Sequence, residues 1–356
     1  MSNDSNPLRV AVVGVGAFGR NHARVYRELE QAGEPVRLAA LVDRDRAKAT
    51  ALVEQLGADA PVPVFASVAH LLASNAQIAA ASVAVPTLDH HATAIELMNA
   101  GVDVLVEKPL ASTLAEADSL IALAARTKRI AQVGHLERFN PAVQAAIPLV
   151  HTPMFFEVHR LSVFSPRALD VDVVLDLMIH DLDIVLSLVH SPLREVRAVG
   201  IPILSSKVDI ANARLEFESG CVANFTASRV STERVRKLRL FQPHQYVSLD
   251  YSRQDVFALS VEAAKPGDPP PAAAAQFPPM PLPAGMRITP SRPAIASEEP
   301  LHAELRSFLE AVRAHRPPAV TLEDGRRALD VAFQILAQIA EHSGRANLAA
   351  MARPQG

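Results

Sequence analysis

Cysteine occurs once in 356 residues, as Cys221. One cysteine permits no internal disulfide and no multi-cysteine metal site, and it fits a reducing compartment. Cys221 follows Glu218-Ser219-Gly220, a turn, and heads an alternating strand, so packing is its expected role. An excess of charge of one sign is also missing. Thirty-five Lys and Arg against 38 Asp and Glu leave a formal charge of -3, with the basic residues scattered rather than massed. That distribution offers no footprint for nucleic acid. No apolar stretch approaches the roughly 20 residues that span a bilayer, so no membrane partner is expected. The apolar run 10–18 has a polar leader at 2–6 and is followed by Arg20, His22 and Arg24, so it is not read as a cleavable signal, and a cytoplasmic location is expected. There is no internal repeat. His90 and His91 are adjacent, hence about 100° apart on a helix, and no third ligand stands out, so no metal is expected.

What the chain has is enough apolar residue, 49% against 21% charged, for two cores. Near its start, Val10-Ala11-Val12-Val13 runs into Gly14-Val15-Gly16-Ala17-Phe18-Gly19 and then into a helical pattern. In a G-x-G-x-x-G turn the first glycine permits the bend and the second admits a pyrophosphate against the backbone. The third lets helix and strand approach closely, and the helix N-terminus favours negative charge. The glycines alone leave a turn that binds nothing open as the lesser alternative. Asp43 ends the next strand pattern 24 residues beyond Gly19, where a dinucleotide site places the carboxylate that accepts from ribose hydroxyls. A carboxylate there favours NAD, whereas the neighbouring Arg44 leaves NADP open. A solvated turn, or the cap of a helix at 46–57, is the alternative role for Asp43.

The first part alternates strand and helix. Strands are expected at 8–13, 36–42, 62–65, 78–85, 102–106 and 130–133, and helices at 17–32, 46–57, 68–74, 90–100 and 113–127. The near-continuous apolar run at 78–85 reads as a parallel strand covered on both faces. The fold class is therefore α/β, with an N-terminal doubly wound parallel sheet of the Rossmann type over 1–135. Ligand contacts should lie past the strand ends, at 14–19, Asp43, Pro86-Thr87, Glu107-Lys108 and Gly134-His135. Beyond Pro141 strand patterns follow one another at 155–163, 196–204, 208–217, 222–230, 235–241 and 246–251, interrupted by one helix at 172–189. That grammar predicts a C-terminal α+β domain over 136–300 with a large, mostly antiparallel open sheet. Residues 262–300 are proline-rich and read as a long irregular or extended excursion. Two amphipathic helices at 302–315 and 323–341, the latter capped by Gly344, are expected to pack back on the body as a closing segment, 301–356.

Three groups of residues carry candidate chemistry. Asp176 and His180 are four apart and so share a helix face, with Asp172 one turn earlier. A carboxylate so placed can hold the imidazole tautomer and stabilise the imidazolium. A surface ion pair is the alternative. Lys108, at a buried strand's end and fixed by Pro109, can donate to a substrate hydroxyl, or it is simply solvated. Residues 134–141, with His135, Arg138 and Asn140, form either a ligand-lined crevice or a hinge built on an Asn-Pro turn.

Taken in order, Gly14-Val15-Gly16-Ala17-Phe18-Gly19, Val85-Pro86-Thr87 with His90, Glu107-Lys108-Pro109, and Asp176 with His180 make the sequence resemble the Gfo/Idh/MocA family over nearly its whole length. The resemblance implies oxidation of a secondary hydroxyl of a sugar or polyol with a nicotinamide cofactor. It implies Lys108, Asp176 and His180 as the catalytic group: His180 as acid/base, Asp176 orienting it, and Lys108 as donor to the substrate hydroxyl. It implies cofactor contacts from Gly14, Gly16, Ala17, Phe18, Gly19, Asp43 and Arg44, and at the nicotinamide half from Pro86, Thr87, His90, Glu107 and Lys108. A homodimer or homotetramer through the open sheet is also implied. Within the family, residues 134–141 and 176–183 are most similar to the subgroup that oxidises the 3-hydroxyl of UDP-N-acetylglucosamine. His135, Arg138, Asn140 and Arg167 are then expected to touch substrate, with Arg138, Arg160, Arg167 and Arg229 as candidates for the diphosphate. The glycines that often precede the catalytic helix are missing, with Leu169-Asp170-Val171-Asp172 in their place. A dehydrogenase of a free polyol such as myo-inositol, or a catalytically inactive cofactor-binding regulator, remains the alternative.

Overall fold

The computed structural model describes residues 6–57, 62–164, 171–264 and 285–346. The chain forms two compact units, Met1–Phe139 with Glu298–Leu329, and Asn140–Ser297 with Asp330–Gly356. The expected closing segment divides between them: its first helix belongs to the first unit, and the second helix begins in the first unit and ends in the second.

In the first unit six parallel strands, β1 (Leu8–Val13), β2 (Val36–Val42), β3 (Val64–Phe65), β4 (Ala80–Val83), β5 (Asp103–Glu107) and β6 (Ala131–Gly134), lie in the order β3-β2-β1-β4-β5-β6. The order reverses between β1 and β4, and a crevice at such a reversal is where dinucleotides bind. β4 and β5 are buried along their whole length, because helices cover both faces of a parallel sheet. The helices are α1 (Gly19–Gln31), α2 (Arg46–Gln55), α3 (Val68–Leu72), α4 (Thr87–Asn99) and α5 (Leu114–Thr127). The core under α1 joins Val10, Val12, Tyr26, Leu29, Leu41 and Leu105 to Leu305, Phe308 and Leu309 of α8 (Pro300–Ala314). Each fully buried Leu or Phe contributes roughly 1.5–3 kcal/mol, enough to hold this late segment on the early sheet.

In the second unit α6 (Pro141–Ala146) is followed by eight strands: β7 (Phe155–Val163), β8 (Leu193–Ile201), β9 (Ile210–Phe217), β10 (Val222–Ser231), β11 (Val235–Gln242), β12 (Gln245–Asp250), β13 (Asp255–Ala263) and β14 (Met286–Ser291). Their order is β14-β13-β12-β11-β7-β10-β9-β8, and β7 with β10 is the parallel pair among antiparallel ones. β13 was not expected from the sequence, and β14 is an extended, paired stretch within 262–300; residues 265–284 lie outside the described residues. β14 is an edge strand, which tolerates its Pro290 because an edge position need not donate to a neighbour on both sides. Burial alternates along β9 and β10, so one sheet face is packed and the other open. The packed face covers a helix that opens with a π-helical turn, Val174–Met178, and continues as α7 (Ile179–Leu188). The final helix, α9 (Leu322–Arg345), runs past Gly344, so that residue does not cap it. No helix among the described residues is long and apolar enough to cross a membrane.

Candidate active site

The first unit holds a cleft of about 420 Å³ whose lining includes Gly14, Gly16, Asp43, Arg44, Pro86 and Asp89. Gly14 has φ +87°, and a Cβ on it would sit 2.6 Å from the Ala84 carbonyl oxygen; a Cβ on Gly19 would lie 1.8 Å from the Gly14 oxygen. These two glycines are required by the chain itself. Gly16 differs, since a Cβ there would meet no protein atom within 4 Å. Its missing side chain leaves a cradle open to a group from outside the chain, as a pyrophosphate site demands. Ala17 and Phe18 are exposed on the same turn.

Asp43 is not the cap of α2, because the Asp45 side chain accepts from Lys48 N. The Asp43 carboxylate accepts instead from Val15 N at 2.8 Å and Asp45 N at 2.9 Å, one bond to each oxygen. Each carboxylate oxygen offers two acceptor sites, so both retain capacity for ribose hydroxyls. Arg44 is 85% exposed at its side chain and reaches Asp89 at 3.3 Å. Lys48 and Ser67 also line the cleft; no sequence motif marks them, and only the β2–α2 and β3–α3 turns bring them there.

His90, expected at the cofactor, is 1% exposed. Its Nδ1 lies 2.9 Å from the Pro109 carbonyl and its Nε2 3.0 Å from that of Val85. The ring thus lies between the β4 and β5 ends against backbone, and as a neutral imidazole it donates to one of the two carbonyls. Burial pushes this imidazole below its ordinary pKa, against the two carbonyls, which favour the charged ring. The unfolded chain then binds more protons than the folded one below about pH 6.5, so stability is full above that value and falls as pH drops towards the folded pKa. Thermal melts should show Tm decreasing from neutral to mildly acidic pH, and His90→Gln should flatten that decrease. Parallel Tm curves for the two proteins would contradict the assignment.

Glu107 is likewise turned inward: its Oε1 meets His22 Nε2 at 2.8 Å. Lys108 follows it, half-buried, joined to Pro109 by a cis peptide. Thr87 is the first residue of α4, and Pro86 precedes it, exposed. His135 is buried, 1% exposed. Arg138 lies 3.7 Å from Asp324.

In the second unit Asp176 lies in the π-helical turn and His180 in the first turn of α7, both half-buried. Single π-helical turns concentrate at functional sites. The neighbouring Asp181 is held by Arg160 of β7, with Nε to Oδ2 at 2.6 Å and the second nitrogen to Oδ1 at 2.9 Å, both side chains almost wholly buried. The helix is thus pinned to the sheet next to His180. Its entry is pinned too. Asp172 Oδ1 accepts from Val208 N, and Arg229 donates to the carbonyls of Val171 and Val208 while pairing with Asp209 at 3.2 Å. Burial alone would raise the Asp209 carboxyl; hydrogen bonds from Ile203, Ser205 and Leu204 outweigh it and hold the group below its ordinary value.

These contacts bear on three of the residues expected at the substrate. Arg160 and Arg229, two of the diphosphate candidates, are engaged by the buried carboxylates of Asp181 and Asp209. Asn140 caps α6, its Oδ1 accepting from Ala142 N and its amide donating to the Tyr251 carbonyl, so the Asn-Pro turn reading holds for it. Arg167 lies outside the described residues. Cys221 is fully buried and burial pushes its thiol up to about 11, as suits a packing residue.

A parallel sheet in 3-2-1-4-5-6 order, a glycine turn with an open cradle and a fixed carboxylate at the β2 end define the class of dinucleotide-binding oxidoreductases. Residues 8–135 match the oxidoreductase family with an NAD-binding Rossmann fold named Gfo/Idh/MocA, and 153–242 match the C-terminal domain of the same family. The chain belongs to the Gfo/Idh/MocA family. It is 36% identical over 330 residues to a UDP-N-acetylglucosamine 3-dehydrogenase of Acidithiobacillus ferrooxidans, covering 92% of this chain and 96% of that one. A solved structure of the UDP-N-acetylglucosamine 3-dehydrogenase from that organism superposes with a TM-score of 0.79 at 33% identity, over 94% of this chain and 98% of the other. Myo-inositol 2-dehydrogenase from Lactobacillus plantarum shares the fold, with a TM-score of 0.74 at 19% identity over 95% and 98% of the two chains.

Proposed function

We propose that this protein oxidises the 3-hydroxyl of UDP-N-acetylglucosamine to the 3-keto sugar with NAD. The observation that carries the reading is similarity at 36% identity across nearly the whole of both chains to a dehydrogenase of that name. NAD, when bound, supplies the hydride acceptor. Gly14 and Gly19 shape the turn, Gly16 would admit its pyrophosphate, and Asp43 would accept from its ribose. Lys108 donates to the substrate oxygen, His180 takes the hydroxyl proton as the carbonyl forms, and Asp176 orients the imidazole. This division of roles rests on the family resemblance and fits two half-buried groups on one helix face and an ammonium at a strand end.

The enzyme is read as cytoplasmic, in keeping with a single buried thiol. Its open sheet face carries Phe241 in ring contact with Phe155 at 5.7 Å and with Tyr246 at 5.1 Å, which supports an assembly of like chains through that face. A substrate panel followed by NADH absorbance tests the function. UDP-N-acetylglucosamine is expected to reduce NAD, whereas free N-acetylglucosamine and myo-inositol are not; turnover of myo-inositol with indifference to the UDP-sugar would overturn the reading.

A further inference from the structure

Glu107 is the last residue of β5, and its carboxylate sits in a seat formed by three different elements of the first unit. From α1, His22, with no exposed surface, brings Nε2 to 2.8 Å from Glu107 Oε1. On the paired strand β6 the register partner is Gly134, where a Cβ would lie 2.8 Å from the same oxygen. From α8, fully buried Glu304 places a carboxylate oxygen within 4.8 Å of both His22 and Glu107. With Glu107 ionised, the proton lies on His22 Nε2, which donates. His22 Nδ1 has no hydrogen-bond partner among the described residues, so the polar function of the ring is spent on Glu107. Burying an imidazole and carboxylates is costly unless they are paired and hydrogen-bonded, as His22 and Glu107 are. Lys108 follows Glu107 directly, and the carbonyl of the next residue, Pro109, lies 2.9 Å from His90 Nδ1. The lysine is bracketed by two buried imidazoles, one on each side.

We propose that His22 is a positioning residue for Lys108, acting through the Glu107 carboxylate, with Gly134 and Glu304 completing the seat. The inference rests on the reading of Lys108 as a group that touches substrate. Misplacing a reacting group by about 1 Å costs on the order of 100-fold, so loosening the seat acts on turnover rather than on cofactor binding.

Asn and Gln discriminate at position 22. The Gln amide nitrogen is three bonds from Cβ, like Nε2, and the Asn nitrogen only two, like Nδ1. In steady-state assays of the full-length enzyme with NAD and UDP-N-acetylglucosamine, His22→Asn should lower kcat about 10–100-fold with NAD affinity nearly unchanged. His22→Gln should return kcat to within about threefold of the parent, since one hydrogen bond is exchanged for another. Gly134→Ala, which leaves His22 and Glu107 in place but crowds the carboxylate, should reproduce the loss and serves if His22→Asn does not fold. In a Lys108→Ala background both losses should largely vanish. A kcat for His22→Gln as low as for His22→Asn, or losses undiminished in the Lys108→Ala background, would overturn the inference. Lys108→Ala with parental kcat would overturn it by refuting the role of Lys108 itself. An impaired Lys108→Ala beside a fully active His22→Asn would refute the positioning role alone.

Discussion

His180→Ala should lower kcat by about 10²–10⁴-fold while leaving NAD affinity nearly unchanged, the range spanned by loss of a positioned general acid/base. The two effects separate because the imidazole and the cofactor cleft belong to different parts of the chain. The cleft is lined entirely from the first unit, whereas His180 stands on α7 of the second. NAD titration by intrinsic or cofactor fluorescence and steady-state kinetics check the two halves independently. Asp176→Asn should fall less far, since it leaves the imidazole in place and removes only its charged partner. Parental turnover in His180→Ala would show that the proton leaves by another group.

The largest expected change in stability is at Arg160. Its guanidinium makes two charge-assisted hydrogen bonds to Asp181 and lies 5.2 Å from the Tyr251 ring centre, at 2% exposure. Arg160→Ala leaves the Asp181 carboxylate buried without its cation and removes the packing of the arginine stem, costing about 3–5 kcal/mol. Chemical denaturation should show that loss as a lower midpoint. Because Asp181 adjoins His180, turnover should fall as well, even at temperatures where the variant is folded. Arg160→Ala combined with Asp181→Ala should recover part of the stability, since no lone charge then remains buried. A double variant no more stable than Arg160→Ala would mean that packing against Tyr251, rather than the ion pair, dominates.

The parallel sheet was readable from sequence because its strands are covered on both faces and stand out as apolar runs between amphipathic helices. β1 and β2 fall at the expected residues, Leu8–Val13 and Val36–Val42. β14 was hidden by Pro290 and by the proline-rich segment before it, a composition that an edge strand tolerates but that reads as a break. The place of Asp43 beside the glycine turn was legible from its spacing to the glycines. Its exclusion as a cap was not, because Asp45 stands two residues away and either side chain suits that position.

Side-chain commitments across long sequence distances were the least visible part of the site. Nothing in the sequence distinguishes Arg160 and Arg229, each spent on a buried carboxylate, from arginines free to meet a diphosphate. His22 and Glu107 are 85 residues apart and Glu304 arrives from α8, so their meeting depends on the sheet register and the late helix together. The π-helical turn carrying Asp176 was equally hidden, since its residues have the same apolar spacing as an ordinary helix.

The most direct measurement is the fate of a deuterium placed at C3 of the sugar of UDP-N-acetylglucosamine and incubated with NAD and the enzyme. Mass spectrometry should find the deuterium in the reduced cofactor and a carbonyl at C3 of the UDP-sugar. Reduced cofactor without deuterium, or no reduction of NAD at all, would contradict oxidation at that carbon by this protein.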